Sequence, residues 1–251
     1  MKKLAVLLAA ALLVVGCLTA CGGTQPEQPE QGGSSVVEPI RSGVVEPGMV
    51  AGGWTVNSDE TKAFLPEGFE EVFNKALEGY AGMGLEPVAY LGSQVVAGRN
   101  HMVLCKGTTV AAEPITELKV AVIYQDLEDN AEITKVTDFN LGAIAEMDSS
   151  KTEAGLAGGW NVTDTFGAPN MPVEVQEPFD KAMEGLTGVN YQPMAFLGSQ
   201  VVAGANYAVL CHGTTVTAEP TNNIYVVYVY AGLDGTASVN NIVCLNLTDF
   251  S

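Results

Sequence analysis

The stretch LGSQVVAG at residues 91–98 recurs letter for letter at residues 197–204, and its reading decides the fold. Sliding the chain by 106 positions lays much more of it upon itself. AGGW at 51–54 falls on AGGW at 157–160, Cys105 on Cys211, and GTTV on GTTV. Glu113-Pro114 falls on Glu219-Pro220, Tyr124 on Tyr230, Leu127 on Leu233, and Asn140-Leu141 on Asn246-Leu247. No gap is needed from Ala51 to Ala145. A unit of about a hundred residues is too long for a solenoid repeat and the right size for a domain. The chain therefore reads as two copies of one small domain, at 50–145 and 155–251, with a polar linker at 146–154.

Each copy opens on a short extended segment, AGGWTV in the first. A helix follows over residues 66–80, where Phe69, Phe73, Ala76, Leu77 and Tyr80 recur at three-to-four spacing and give one apolar face. Pro66 suits a first helical turn, and Gly82 and Gly84 end the segment. The second copy keeps the face as Val175, Phe179, Ala182, Met183 and Leu186. Its Pro178 stands where Val72 stood, which predicts a kink or a late start. The period then changes. PVAYLGSQ and NHMVLCKGTTV read as two strands around a turn, and ELKVAVIY and AEITKVTDFNL as two more. The second copy answers with IYVVYVY and ASVNNIVCLNL. The expected class is α+β: in each copy one helix packed on a four- to five-stranded antiparallel sheet.

SQVVAGRNHMV and SQVVAGANYAV resemble the first hairpin of the cystatins, the stefins above all, whose hallmark is Gln-x-Val-x-Gly at the hairpin tip. The order of a glycine trunk, a helix, a hairpin and a second hairpin is similar too. The resemblance implies two tandem cystatin-like domains that inhibit papain-like cysteine peptidases. In that family a wedge of trunk, first tip and second hairpin turn enters the active-site cleft. On this chain the wedge would comprise Gly52, Gly53, Gln94, Val95, Val96, Ala97, Gly98 and Leu127. In the second copy it would comprise Gly158, Gly159, Gln200, Val201, Val202, Ala203, Gly204 and Leu233. Many cystatins carry Pro-Trp in the second turn, whereas this chain has Leu127-Glu128 and Leu233-Asp234, as stefins have a leucine. Asp126, Glu128 and Asp129 make the first copy's turn acidic, so the second copy is expected to bind more tightly.

The physics of the tip agrees with a contact surface. Val-Val-Ala puts apolar side chains into water, which is unusual for a hairpin turn. Gly98 and Gly204 allow a positive φ at the turn exit. Gln94 and Gln200 can hydrogen-bond within the turn or to a partner. Trp54 and Trp160 are expected to pack on their own domain. Two other readings use the same residues: a non-inhibitory surface-binding or adhesion module, and a structural subunit whose tips are internal interfaces.

Nothing in the chain reads as catalytic or metal-binding machinery. His101 and His212 are not equivalent positions, since Tyr207 and Lys106 replace them in the other copy. Cys211 and His212 are adjacent on a strand and point to opposite faces. No HExxH, CxxC, GxSxG or glycine-rich phosphate loop occurs, and no cofactor is expected.

Lys2, Lys3 and an apolar run from Leu4 to Val15, too short to span a bilayer, read as a signal peptide over residues 1–20. LTAC, ending at Cys21, resembles a bacterial lipobox, with VVGC at Cys17 a weaker match. That implies lipid on Cys21 and an extracytoplasmic protein held to a bacterial cell membrane by acyl chains alone. Residues 21–49, rich in Gln, Pro, Glu, Gly and Ser, read as a disordered tether. Such a tether reaches about 100 Å when extended and averages on the order of 30 Å as a coil. The net charge of −18 argues against nucleic acid or an anionic membrane surface as partner. Cys105, Cys211 and Cys244 read as small buried hydrophobes rather than a disulfide framework.

Overall fold

The computed structural model describes residues 52–57, 65–147, 159–164, 166 and 171–251. The expected signal peptide, Cys21, the tether, Gly158 and most of the linker lie outside the described residues. The first copy contains β1 (Trp54–Val56), α1 (Phe69–Glu78), β2 (Gly84–Val96), β3 (Gly98–Thr108), β4 (Thr116–Gln125), β5 (Ala131–Asp138) and α2 (Leu141–Met147). The second contains β6 (Asn161–Val162), α3 (Val173–Met183), β7 (Val189–Val202), β8 (Gly204–Thr215), β9 (Asn222–Ala231), β10 (Ala237–Cys244) and a 3-10 turn (Leu247–Phe250). Each copy forms a five-stranded antiparallel sheet, in the order β1-β2-β3-β4-β5 and its counterpart β6-β7-β8-β9-β10. The α+β class and the two meanders are those the strand periods predict.

Helix α1 begins at Phe69 rather than Pro66. Pro66 lies in the preceding turn, its carbonyl accepting from Phe69 N at 3.0 Å, and Gly68 in the left-handed region (φ 79°) turns the chain in. The helix closes at Gly79, ahead of the expected Gly82. Phe69, Phe73 and Ala76 are buried, one per turn along a single face. Helix α3 does not make the late start that Pro178 allowed. It starts at Val173 and passes through Pro178 without interruption. Proline forfeits one backbone bond inside a helix, but Val175 and Phe179 are buried on either side of it and hold the turn in place. Leu186 falls beyond the helix and is exposed.

Each helix covers one face of its own sheet. Under α1 lie Leu85, Tyr90, Val103, Cys105, Ala121 and Ile123. Under α3 lie Phe196, Val209, Cys211, Val227 and Val229. The opposite faces of the two sheets meet each other in one continuous core, so beyond the core under its own helix each copy depends on the other. Along β4, Leu118, Val120 and Val122 point into this shared core while Ala121 and Ile123 point to the helix. Along β9, Ile224, Val226 and Tyr228 do the same against Val227 and Val229. The layers therefore run helix, sheet, sheet, helix, and both copies belong to one compact unit, Val45–Ser251.

The segments after each last strand seal that sandwich. The sequence places a strand end at 139–141 and a linker from 146, yet α2 occupies Leu141–Met147, with Leu141, Ile144 and Ala145 buried. Its offset counterpart is the 3-10 turn, with Leu247 and Phe250 buried. The two plugs are exchanged between copies. Leu247 packs on Gly92 of β2, where a Cβ would lie 2.9 Å from its Cδ1, and Leu141 packs on Gly198 of β7, where the corresponding separation is 3.2 Å. Tyr228 Oη donates to Leu141 O at 2.7 Å, Asn241 Nδ2 donates to Ala145 O at 2.8 Å, and Phe139 stacks on Phe250. Cys105 and Cys211 are buried as expected, but Cys244 is exposed.

The sheets stack head to tail. Trp54, Thr55, Val56 and Asn57 share an open cleft of about 950 Å³ with Thr221, Asn222 and Asn223, at the start of β9. Gly159, Trp160 and Val162 share a cavity with Ile115, Thr116 and Glu117, at the start of β4. β4 and β9 both start at the end of their sheet farthest from the hairpin tips. The opening segment of each copy thus lies against the tip-distal end of the other. β1 approaches β9, β6 approaches β4, and β2 approaches β7, the pattern of an approximate two-fold axis between the copies.

Candidate functional site

The eight repeated residues have distinct duties. Leu91 and Leu197 are fully buried in the shared core. Gly92 and Gly198 leave room for two neighbours at once. A Cβ on Gly92 would meet Thr55 O at 2.4 Å besides Leu247, and one on Gly198 would meet Asn161 O at 2.5 Å besides Leu141. Gly92 therefore admits both β1 and the plug from the other copy.

Gln94 fastens the trunk to the hairpin. Its Nε2 donates to Gly52 O at 2.8 Å and its Oε1 accepts from Asn100 Nδ2 at 2.7 Å. Gly52 N also donates to Val95 O at 3.3 Å. Gly53 is half-buried and leads directly into β1. In the second copy Gln200 is buried and accepts from Asn206 Nδ2 at 2.7 Å, and Asn206 in turn accepts from Asn240. Gly159, at φ 67°, lies beside Gln200 as Gly52, at φ 83°, lies beside Gln94. Of the two bonding modes open to this glutamine, the internal one is realised at Gln94.

The tips are turns of one residue. Val96 pairs with Gly98 across Ala97, and Val202 with Gly204 across Ala203. Gly98 (φ 118°) and Gly204 (φ 125°) have the positive φ that the sequence predicts. They are also needed for closeness, since a Cβ there would lie 2.3 Å from Gln125 O or Ala231 O. Tyr124 Oη donates to Ala97 O at 2.5 Å, and Tyr230 Oη to Ala203 O at 2.6 Å, so the tip is tied to the neighbouring strand. Val95 is half-buried. Val96 is 40% exposed, Val201 80% and Val202 39%, which sets these tips outside the protein's own core.

The second turn stands beside the first. Arg99 pairs with Gln125 and Ala205 with Ala231, which brings residues 126–130 next to one tip and 232–236 next to the other. Leu127 is 85% exposed and Leu233 90%. Asp126 organises the first turn by accepting from Asn130 Nδ2 and from the backbone N–H of Asn130 and Glu128. Those hydrogen bonds, the Asn130 side chain foremost, hold its carboxyl below the usual range. Asp234 does the same in the second turn through Thr236. Helix lysines brace both: Lys75 Nζ donates to Asp129 O at 3.2 Å and Lys181 Nζ to Gly235 O at 2.6 Å.

Each sheet end thus presents trunk, apolar tip and leucine turn in a row. The pairs Asn100/Asn206, Tyr124/Tyr230 and Lys75/Lys181 support that row, and sequence reading gave none of them a role. All three recur at the same offset of 106, which is the signal that marks them.

Behind the first copy's tip lies a further network, centred on His101. His101 Nε2 donates to Gln125 Oε1 at 2.9 Å, and its Nδ1 is 2.8 Å from Tyr90 Oη. One nitrogen donating and one accepting suits a neutral ring. Burial under Phe69 holds the His101 pKa below its ordinary value, with the Arg99 charge adding to that. Burial pushes Tyr90 up to about 12. The second copy has Phe196, Tyr207 and Ala231 at these places. Burial also pushes the Cys105 thiol up to about 12 and the Cys211 thiol higher still, so neither is a nucleophile at neutral pH. Trp54 and Trp160 are partly buried against the core that both copies share, so they pack on the protein itself but not on their own copy alone, and Trp160 meets Tyr228 of its own copy edge-on at 5.5 Å.

Among the described residues no group of three His, Cys, Asp or Glu side chains could hold a metal ion, and no helix is long and apolar enough to cross a membrane. No family model matches the chain, and no curated protein matches it. Among solved structures, an Ntf2-like protein involved in plasmid conjugation is similar over 73% of this chain and 84% of its own, at 8% identity and a TM-score of 0.21. A likeness at that level carries no argument about fold or function.

Proposed function

We propose that the chain consists of two tandem cystatin-like units and is a reversible inhibitor of papain-like cysteine peptidases. The observation that carries this reading is the row at each sheet end. Gly52 and Gly53, then Val95, Val96, Ala97 and Gly98 with Gln94 behind them, then Leu127, stand in the order that a wedge for a narrow cleft requires. Gly159, Gln200, Val201, Val202, Ala203, Gly204 and Leu233 repeat it. Their apolar side chains are exposed while their backbone is tied down by Tyr124, Tyr230, Asn100 and Asn206. A pre-organised apolar tip loses little entropy on docking. Each fully buried valine or leucine adds about 1.5–3 kcal/mol. No bond of the inhibitor need be broken, so inhibition is reversible. The second end binds more tightly, because its turn carries Gly232 and Gly235 where the first carries Asp126 and Asp129. Lipid on Cys21 would hold the inhibitor at an extracytoplasmic membrane face.

Titrating papain with the compact unit Val45–Ser251 tests the reading. Stoichiometric loss of activity that returns on dilution supports it. Unchanged papain activity contradicts it and leaves the tips to a surface-binding role.

A further inference from the structure

We infer that one chain holds two peptidase molecules at the same time, one at each end, pointing in opposite directions. The inference rests on the inhibitory reading and adds what the stacking of the sheets implies. Two tethered inhibitors could present their tips side by side, or press one tip against the other copy, and either arrangement would leave a single usable site. Neither occurs here. β1 approaches β9, with Trp54 sharing a cleft with the start of β9, and β6 approaches β4, with Trp160 sharing a cavity with the start of β4, so each trunk sits at the tip-distal end of the other sheet. The two tips therefore leave the sandwich along opposite strand directions.

Strand β2, which approaches β7 near the axis, has 13 residues. At a rise of 3.3–3.4 Å per residue it is about 43 Å long, which sets the order of the separation between the tips. A protein–protein interface of ordinary size covers about 800 Å² on each partner, a patch on the order of 30 Å across. Two such patches on opposite ends do not overlap, and the body of the sandwich stands between the partners. Val96 and Val202, at 40% and 39% exposed, are equally open to contact. The shared core fixes this arrangement, since Leu141 and Leu247 each fill the other copy's sheet. The second peptidase is thus bound to a rigid opposite end and not merely to a second domain on a string.

The experiment is a mass measurement of the complex by light scattering, alongside an activity titration, with papain and the compact unit Val45–Ser251. Expected are two papain molecules per chain at excess papain and an equivalence point of about half an inhibitor per papain. Val96→Asp alone and Val202→Asp alone should each drop the complex to one papain per chain. Saturation at one papain, with both single variants still inhibitory, would show that the ends exclude one another and overturn the inference. Total loss of inhibition in one single variant would show that only one end works, and overturns it as well while leaving the inhibitory reading intact. No complex with any form overturns the inhibitory reading and the inference together.

Discussion

The two repeats agree at their tips and at the glycine and leucine that seat each plug, and differ in the polar groups behind the tips and in how each helix starts. Leu91 and Leu197, Gly92 and Gly198, and Leu141 and Leu247 occupy equivalent places in the shared core. Behind the tips, by contrast, His101, Tyr90 and Gln125 in one copy become Tyr207, Phe196 and Ala231 in the other. Helix α1 starts from a left-handed glycine, whereas α3 starts from Pro172 and contains Pro178. The shared face itself is free to change so long as its volume is filled, since Met102 is matched by Ala208 and Val122 by Tyr228, while Phe73/Phe179 and Val103/Val209 are kept under the helices.

The largest effect should come from separating the repeats. Residues 50–145 alone would expose Leu91, Met102, Leu104, Leu118, Val120, Val122 and the plug around Leu141. At about 1.5–3 kcal/mol for each large side chain, that is as large as the 5–15 kcal/mol of a whole domain's stability. The fragment should bind a hydrophobic dye and melt without a cooperative transition, or pair with a second copy through the same face. A monomer with a sharp transition in calorimetry would mean that the repeats fold independently.

Gly92→Val should come next. Its Cβ alone would lie 2.4 Å from Thr55 O. Overpacking of this kind costs typically 1–3 kcal/mol, and β1 would move with the trunk it carries. Chemical denaturation should show a loss of about 3 kcal/mol, with weaker inhibition at the first end only. Gly198→Val should mirror it at the second end.

Much of this was legible in the chain. The helix followed from Phe69, Phe73 and Ala76, the hairpins from Gly98 and Gly204, and the row at each end from the hallmark motif. The shared core was not read, although its signal is present. VLC, KVAVI and VVYVY lack the polar alternate positions of a sheet with one wet face, and such runs mean burial on both faces. FNL and LNL carry the pattern of strand ends, which hides the plugs. Asn140 and Asn246 are in fact helix caps, accepting from Ala143 N at 3.0 Å and Thr248 N at 3.2 Å. The tip-distal stacking brings Trp54 near Thr221 and Trp160 near Thr116, residues far apart in the chain that no local pattern joins.

A smaller effect distinguishes the tip ties. Tyr124→Phe removes the bond to Ala97 O, and Tyr230→Phe the bond to Ala203 O. A hydrogen bond of this kind contributes about 0.5–1.5 kcal/mol. Each variant should weaken papain binding up to about tenfold at its own end, read as a faster dissociation rate. No change at either end would mean that the tyrosines do not pre-organise the tips.

The smallest effect separates the repeats by pH. His101 is neutral in the fold because burial lowers its pKa. As pH falls through the unfolded value of about 6.5, the unfolded chain takes up a proton that the folded chain refuses. Stability should therefore drop between pH 7.5 and 5.5, and the drop should be shallower in His101→Tyr, which copies the second repeat. Parallel melting curves of the two proteins over that range would remove His101 from the pH response.

The wedge itself is tested most directly by Val96→Asp and Val202→Asp in one chain, with an inhibition constant against papain and a melting temperature taken from the same sample. A carboxylate forced into a desolvated contact costs several kcal/mol, and at about 1.4 kcal/mol per tenfold that is a loss on the order of a thousandfold in affinity. Both positions are exposed in the free protein, so the melting temperature should hold, within the effect of about 0.5 kcal/mol usual for surface changes. Inhibition that survives at its original strength in this folded variant would contradict the wedge.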